Sequence, residues 1–573
     1  MSDISVPPET ATRVPVTSSS AMQRLFVGRR GRRLKETLTA YTLLFPAFLI
    51  IFVFGLFPLA FSAYQSLLTG LNKIVGTYDG LGNYVKAIDN LTYIVGFWSA
   101  IVFVYLAIQQ IRKLAQSPHK ESFHVWIWAL PGFFMAAGLL LFTRFFFTFL
   151  PEVLQIPDRV PRGTLMTREM FSQLLGEAWA LESVQATFQL SMLVLLVAGG
   201  LIFVVNKYTS HSSHSNSYFT TFTQSSILIL LAGAIAWLTY TEIVRVYTEA
   251  LEDGTELTIW SQVVTISAGF VLLILSYLLW QTAPGQDSMR HTLFRIGAAA
   301  ALAVGGWVLI GELPLAISAG NKDWWEGLRT TVFFAAGTIP LQFIFALLIA
   351  NVLFQNIRGK GLYRMIYFLP YISPLVGTAA VFRILFSERA NAPINTLWTA
   401  MGLEPLRWLN EPTGIFKLMA GGSPDFPSWA AGPSLALVAI IIYNVWTYVG
   451  FDIVIFLAGL GSIPGELYEA ASIDGAGRWA QFRHVTLPLL SPTIYFLMLL
   501  ATIGTFKAFN HLYVMRNGAA LGTTDTASVV IFEAFKRDTR YGYAASLAML
   551  LLIIITGLTV INNRIARERV FYG

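Results

Sequence analysis

Apolar runs of about 20 residues recur along the whole chain, and they constrain its fold more than any other feature. A helix of about that length crosses the roughly 30 Å hydrocarbon core of a bilayer. Strands of a membrane β-barrel would instead alternate polar and apolar residues. The sequence therefore predicts an all-α polytopic membrane protein with about twelve transmembrane helices, centred on residues 41–66, 93–111, 125–150, 186–205, 224–241, 260–280, 294–318, 329–353, 363–386, 433–459, 487–508 and 544–562.

The composition supports this class. Of the 573 residues, 55% are hydrophobic and only 12% are charged, whereas soluble domains are about 25% charged. The chain has no cysteine, which excludes disulfides, thiolate metal sites and cysteine nucleophiles. Residues 1–37 are polar and then basic, without the pattern of a cleaved signal peptide. We expect them to form a disordered, basic cytoplasmic tail before an uncleaved first span.

The distribution of charge predicts the orientation of the chain in a cell membrane. With the arginine-rich tail inside, basic residues outnumber acidic ones in the inner segments, and the reverse holds outside. One short inner loop shows this locally, since it carries Arg358, Lys360 and Arg364. Both termini are therefore predicted to be cytoplasmic, together with residues 459–488.

A polar, glycine-bent element lies between two of the last spans. Residues 462–464 (SIP) are a helix-start signal with proline in the first turn. The helix is predicted to stop at Asp474-Gly475, because glycine adopts the left-handed conformation at little cost. A second short helix with one apolar face is indicated by the spacing of Trp479, Phe482 and Val485. The element is thus predicted to be a bent helix pair that lies parallel to the membrane.

The element carries, in order, Glu469, Ala470, Ala471, Asp474, Gly475, Ala476, Phe482, Leu487 and Pro488. This series resembles the EAA loop of ABC importer permeases. In that family the loop is a coupling helix that docks on the ATP-hydrolysing subunit, so the resemblance implies the same role for residues 459–488. An interfacial amphipathic helix that only anchors a loop is the alternative, although an anchor does not require this order of residues.

The resemblance extends to the carbohydrate-uptake permeases of the maltose and glycerol-phosphate type. It implies a six-helix type I importer core, made of residues 38–90 and 322–573, with a membrane block of about six extra helices inserted at 91–321. We find no known motif in the inserted block. The similar segments are LTAYTLLFPAFLIIFVFGLFPLAFSAYQSL (38–67), GLGNYVKAI (80–88), WWEGLRTTVFF (324–334), RGKGLYRMIYFLPYISP (358–374), LAGLGSIPGELYEAASIDGA (457–476) and YGYAASLAMLLLIII (541–555).

The sequence has no nucleotide-binding motif of its own. The nearest match to a P-loop, Gly359-Lys360-Gly361, lacks the upstream glycine and the Ser/Thr. We expect neither enzyme activity nor a cofactor or metal in this chain. The resemblance implies that ATP and Mg are bound by a dimer of separate ATPase subunits, alongside a second, distinct permease subunit and an extracytoplasmic solute-binding protein. No feature indicates a nucleic acid partner.

One loop carries histidines at a spacing that can chelate a metal ion. His211 and His214 lie in the segment TSHSSHSNS. Two histidines supply only half of a typical site, so we interpret this segment as a solvated polar loop.

The solute path of such a permease is lined by spans near the middle of the membrane. Aromatic faces and amide or hydroxyl groups bind sugars, and both occur in YNVWTYVGFD (443–452) and TIGTFKAFN (502–510). For each candidate, helix packing is an equally good explanation. Asp452 is an intramembrane acid that either functions in transport or satisfies a neighbouring helix. The candidates are Tyr443, Asn444, Trp446, Tyr448, Thr505, Phe506, Phe509 and Asn510.

The main hypothesis is a permease subunit of a binding-protein-dependent ABC importer that takes up a sugar or sugar-like solute. A secondary active transporter is the first alternative, and it would need ion-coupling groups at the midplane. A polytopic membrane enzyme acting on lipid-linked sugars is the second, and it would need paired acidic residues in its loops.

Overall fold

The computed structural model describes residues 28–70, 76–116, 125–161, 163–208, 215–252, 254, 259–282, 289–355 and 357–569. These residues contain ten helices that are long and apolar enough to cross a membrane, and two bent helix pairs that bring the number of spans to as many as twelve. The predicted all-α fold with about twelve spans is confirmed. The loop that carries His211 and His214 lies outside the described residues.

The chain divides into two compact units, residues 1–62 and 63–573. The first contains α1 (Gly28–Ile51), a π-helical turn (Phe52–Leu56) and most of α2 (Phe57–Gln65), whose last three residues belong to the second unit. Residues 28–37, which we expected to be disordered, are therefore helical. They are rich in Arg, Leu, Lys and Glu, which are good helix formers, and an existing helix lengthens at little cost. The rest of the predicted tail, residues 1–27, lies outside the described residues.

The second unit opens with a two-stranded antiparallel sheet and a short helix. Strands β1 (Leu68–Thr69) and β2 (Thr77–Tyr78) pair with Leu68 opposite Tyr78, and α3 (Gly82–Ile88) follows. The buried amide of Asn83 donates hydrogen bonds to the carbonyl oxygens of Ser66 (3.0 Å) and Leu68 (2.8 Å). Both donors of this amide are thus used to fix the sheet on α3.

Residues 91–321 form a block of helices in which neighbours pack closely. The helix Ser215–Glu252 packs on Leu91–Ala115 and on Ala129–Leu154. Ala129–Leu154 also packs on Glu182–Tyr208, and Ile259–Gln281 packs on Met289–Ala319. Small residues make these contacts possible, since a Cβ added at Gly269 would lie 2.8 Å from Cγ of Leu309. Six of the helices are long enough to cross a membrane, as predicted. The block comprises α4 (Leu91–Ala115), α5 (Ala129–Leu154), α6 (Ile156–Arg159), α7 (Arg168–Ala180), α8 (Glu182–Tyr208), α9 (Ser215–Glu252), α10 (Ile259–Gln281) and α11 (Met289–Ala319).

The chain enters and leaves this block at one point. The backbone N–H of Asn321 donates to the carbonyl oxygen of Ala87 at 3.0 Å. The side chain of Asn321 also caps the next helix by accepting from the N–H of Trp324 at 3.0 Å. Residues just before and just after the block are therefore direct neighbours.

The remaining helices surround α17 (Leu435–Gly461). Its most apolar stretch of 18 residues is 56% buried, which is the highest share among the described spans. The helices around it are α12 (Lys322–Phe354), α13 (Lys360–Ile372), α14 (Leu375–Leu385), α15 (Pro393–Ala400), α16 (Ile415–Met419), α18 (Gly465–Ile473), α19 (Arg478–Gln481), α20 (Leu487–Leu489), α21 (Ser491–Phe506), α22 (Asn510–Met515), α23 (Ala527–Lys536) and α24 (Tyr541–Arg569). Helix α17 packs on α12, α13 and α21.

Two spans that we predicted as continuous are broken. The run at 363–386 forms α13 and α14, which are bent by 93°. Ser373 precedes Pro374 and adopts an extended ψ of 148°, because a residue before proline avoids the helical conformation. The run at 487–508 is bent by 62° where α20 meets α21. Hydropathy identified both runs, but it carries no information on the direction of the helix axis.

Candidate functional site

A cavity of about 380 Å³ lies between α12, α17 and the segments 371–375 and 497–511. Every described residue that lines it falls between positions 342 and 511, so none of them belongs to residues 91–321. Its polar lining residues are Gln342, Asn444, Asp452, Thr505, Lys507, Asn510 and His511, and its aromatic ones are Tyr371, Tyr448, Phe451 and Phe509.

Five of the eight predicted solute-path residues line this cavity. On α17 they are Asn444 and Tyr448, which are four residues apart and therefore lie on one face of the helix. Asp452 lies one turn further along the same face. The second predicted segment supplies the others, Thr505, Phe509 and Asn510.

The other three predicted residues, Tyr443, Trp446 and Phe506, do not line the cavity. The fully buried Tyr443 donates its hydroxyl to the carbonyl oxygen of Leu375 at 2.9 Å, so it holds α14 against α17. Trp446 packs on Phe382, with ring centroids 4.8 Å apart. Phe506 is buried in a separate apolar cluster. All three thus contribute to the packing of the helices.

Asp452 has a partner on the neighbouring helix. The amide Nε2 of Gln342, on α12, donates a hydrogen bond to Oδ2 of Asp452. Both residues are buried and both line the cavity. The Asp452 carboxylate thus accepts a hydrogen bond from a neighbouring helix and also lines the cavity. Sequence reasoning missed Gln342, although a lone amide within an apolar run is a visible signal.

His511 is a second lining residue that sequence reasoning missed. It is 2% exposed, and neither ring nitrogen has a hydrogen-bond partner among the described residues. Its ring lies against Tyr443, with centroids 5.6 Å apart. Burial lowers the pKa of His511 to about 4, so the ring is neutral at physiological pH.

We expect His511 to make the folded protein less stable in acid. An unfolded histidine titrates near pH 6.5, so between pH 6.5 and 4 the unfolded chain binds a proton that the folded chain does not. Stability is complete above this window and falls as the pH falls through it, by up to about 3 kcal/mol. Melting temperatures in detergent at about pH 7.5 and pH 5 measure the loss.

The variant His511→Gln should show a smaller acid-induced loss than the wild type. The exposed His484, changed to Gln, provides the matched control. An unchanged pH dependence in His511→Gln would show that other groups cause it.

The predicted bent element has the expected local geometry. Helix α18 ends in a turn at Gly475, whose φ is 79°. The N–H of Ala476 donates to the carbonyl oxygen of Ala471 at 2.9 Å, and the N–H of Gly475 donates to the carbonyl oxygen of Ser472 at 3.1 Å. These two bonds are the pattern of a Schellman cap. The side chain of Gln481, on α19, donates to the Ser472 hydroxyl at 2.9 Å and holds the two helices together. Pro464 sits immediately before α18 rather than in its first turn.

One side of this element is anchored and the other is exposed. Ile463 and Leu490 are buried in a cluster with residues of α12 and α17. On the exposed side, Ile473 and Trp479 are 86% and 72% accessible. Among the predicted coupling residues, Glu469, Ala470, Asp474, Gly475, Leu487 and Pro488 are exposed, and Ala471, Ala476 and Phe482 are partly so. Large exposed apolar side chains on a polar element are typical of a surface that contacts another protein.

Residues 312–569, which contain both the cavity and this element, match the family described as binding-protein-dependent transport system inner membrane component. The lactose transport system permease protein LacF of Rhizobium radiobacter is 31% identical over 251 residues, which are 43% of this chain and 76% of LacF. The chain belongs to this family.

Two further relatives agree with this membership. YesP, a probable ABC transporter permease of Bacillus subtilis, is 32% identical over 257 residues, or 44% of this chain and 75% of YesP. The trehalose/maltose transport system permease MalF of Thermococcus litoralis is 27% identical over 248 residues, covering 43% of this chain and 76% of MalF.

A solved structure of a bacterial alginate ABC transporter bound to its periplasmic protein is also similar to this chain. The superposition has a TM-score of 0.37 at 18% identity, and it covers 58% of this chain and 94% of the other chain. This likeness is too distant to bear on function.

The family membership confirms the resemblance predicted from the sequence. The protein is a multi-pass inner-membrane component of a binding-protein-dependent transport system. The family match covers residues 312–569, so it includes neither residues 38–90 nor most of residues 91–321.

Proposed function

We propose that this chain is the permease subunit of an ABC importer and translocates a sugar or sugar-like solute into the cytoplasm. The observation that carries the proposal is the cavity on α17, where aromatic rings and amide groups converge. Among the relatives, LacF is named for lactose transport and MalF for trehalose and maltose transport.

The chemistry of the cavity suits a sugar. Tyr371 stacks on Phe451 (centroids 5.0 Å apart) and meets Tyr448 edge-on (5.9 Å), giving a continuous aromatic wall against which the apolar faces of a sugar ring can pack. The amides of Asn444 and Asn510 provide donors and acceptors for hydroxyl groups. A volume of about 380 Å³ lies within the usual range for small-molecule sites.

Energy for transport comes, in this proposal, from other chains. A dimer of ATPase subunits binds and hydrolyses ATP with Mg, and residues 459–488 dock on one of them from the cytoplasmic side. The chain itself is not an enzyme. The exposed apolar side chains of the bent element support this docking, because they leave an apolar surface available to a partner.

The proposal includes two further partners and an arrangement of the chain. A second, distinct permease forms the other half of the pathway, and an extracytoplasmic binding protein delivers the solute. Residues 38–90 and 322–573 supply six core spans, with 91–321 as an additional block and both termini cytoplasmic. The absence of any described residue of 91–321 from the cavity lining supports this division.

Substitutions in the cavity test the solute path. We expect Tyr448→Ala to lower ATP-driven uptake about tenfold, because it removes one face of the aromatic wall, a loss of about 1.4 kcal/mol in solute binding. Asn444→Ala should lower uptake by a similar factor through a lost hydrogen bond. The measurement uses proteoliposomes that contain the complete co-purified complex, with labelled lactose, maltose and trehalose as probes.

The matched control is Ile442→Ala, on the same helix but outside the cavity lining. It should transport at the wild-type rate. Full-rate uptake by Tyr448→Ala would overturn the assignment of this cavity, and wild-type complexes that take up none of the three probes would overturn the proposed solute class.

A further inference from the structure

A second cavity, of about 580 Å³, lies apart from the solute path and has a different chemistry. Parts of the chain that are distant in sequence form it: the β1 end, α3, Asn321 and the start of α24. The residues that give it chemical character are Lys86, Arg540 and Tyr543. The membrane-spanning helices α12 and α24 both begin here.

Positive charge dominates the mouth of this cavity. The ammonium group of Lys86 lies 3.3 Å from Oδ2 of Asp79, and its side chain is 60% exposed, so it keeps donors for a second partner. Arg540 is exposed, and its guanidinium has no hydrogen-bond or ion-pair partner among the described residues. These two cations line the cavity, and no carboxylate does so among the described residues. Asp79 pairs with Lys86 from outside the lining, and the Asp323 carboxylate lies within electrostatic range of Tyr543.

An unpaired hydroxyl lies behind these cations. Tyr543 is 9% exposed, lines the cavity, and its hydroxyl has no hydrogen-bond partner among the described residues. A buried hydroxyl without a partner costs free energy. An acceptor oxygen placed in the cavity would remove that cost.

The floor of the cavity is preformed. Asn83 uses both amide donors on the carbonyl oxygens of Ser66 and Leu68, so it does not compete for a ligand. At Gly542 the α24 backbone approaches so closely that an added Cβ would lie 1.8 Å from the carbonyl oxygen of Leu68. The floor of the cavity is thus fixed before any ligand arrives, while the exposed side chains of Lys86 and Arg540 at its mouth can adjust to a ligand.

We propose that this cavity binds a phosphate group, with Lys86, Arg540 and the Tyr543 hydroxyl as donors. A phosphate offers several acceptor oxygens to these donors, and charge-assisted bonds from arginine and lysine are the strong ones. Because α12 and α24 begin at the cavity, it lies where spans leave the hydrocarbon, at the level of lipid headgroups. The phosphate belongs either to an anionic phospholipid or to a free phosphate in solution.

Thermal unfolding of the purified protein in detergent tests this proposal. Dioleoylphosphatidylglycerol, inorganic phosphate and the zwitterionic dioleoylphosphatidylcholine are added separately, since a ligand that binds the folded state raises the melting temperature. Arg540→Gln and Tyr543→Phe keep the shape of the site while removing a donor. We expect each to weaken the stabilising ligand about tenfold, with little change in the melting temperature without ligand.

Arg537→Gln is the control, because it makes the same change in charge at an exposed arginine outside the cavity. Stabilisation by phosphatidylglycerol alone supports a lipid headgroup site, provided that it is lost in Arg540→Gln and kept in Arg537→Gln. Stabilisation by inorganic phosphate that is lost in Arg540→Gln and kept in Arg537→Gln supports a free-phosphate site. Equal loss in both arginine variants, or no stabilisation by either ligand, overturns the proposal. The readout is binding, so the result does not depend on the proposed transport function.

Discussion

Replacing Gly475 by valine is expected to remove most ATP-driven uptake while leaving the protein assembled in the membrane. Gly475 has a φ of 79°, a conformation that a β-branched residue resists strongly. No atom lies within 4 Å of an added Cβ, so the effect comes from the backbone and not from crowding. A changed turn would swing α18 relative to α19 and misplace the proposed docking surface. ATP-dependent uptake and ATPase activity of reconstituted complexes measure the coupling.

The chain provides a control two residues away. Gly477 is equally exposed and has equal space, but its φ of −68° and ψ of 167° suit valine. We expect Gly477→Val to couple nearly as well as the wild type. Equal loss in both variants would contradict the conformational explanation, and full coupling in Gly475→Val would contradict the coupling role of residues 459–488.

A large loss of stability is expected for Gly450→Ala. At this position α17 lies against the backbone of α13, and an added Cβ would be 1.9 Å from the carbonyl oxygen of Tyr367. Backbone atoms cannot rotate away as side chains do, so α13 must shift. Overpacking of this kind costs about 1–3 kcal/mol and sometimes more. The melting temperature in detergent and the yield of folded protein should both fall.

This substitution should also reduce transport, because the segment that follows Tyr367 carries the cavity residues Tyr371 and Leu375. Gly557→Ala, on α24, is the control, since no atom lies within 4 Å of its added Cβ. That variant should be as stable as the wild type or slightly more so, because alanine favours helix. A melting temperature for Gly450→Ala equal to that of Gly557→Ala would show that the two helices do not pack as described.

The positions of the spans could be predicted because a membrane requires a minimum apolar length of every helix that crosses it. Pro374 is a sequence signal for the bend between α13 and α14. Mean hydropathy, however, carries no information on the direction of a helix axis. The cavity was harder to predict for a related reason. Tyr443 and Asn444 are adjacent and both suit sugar binding, yet neighbouring residues point about 100° apart on a helix. Only the packing of α14 decides that Tyr443 is structural and Asn444 faces the cavity.

Contacts between distant parts of the chain account for the remaining misses. The hydrogen bond from Gln342 to Asp452 joins residues 110 positions apart, and no local pattern predicts that pairing. The unpaired nitrogens of His511 and the unpaired hydroxyl of Tyr543 likewise result from tertiary packing. In contrast, the turn at Gly475 depends on nearby residues alone, and there the sequence-based prediction of a stop and a bend agrees with the structure.

The hydrogen bond between Asn321 and Ala87 has a consequence for how the proposed insertion of residues 91–321 can be accommodated. Holding the ends of a flexible loop together costs entropy that grows with the logarithm of its length. Here the two ends of the block lie side by side, and its helices share an apolar cluster with helices that follow it. This packing offsets part of the cost of holding the ends together. Insertions with adjacent ends are the kind that folded hosts tolerate. A permease gene could therefore acquire such a segment in a single event without losing the architecture on either side of the junction.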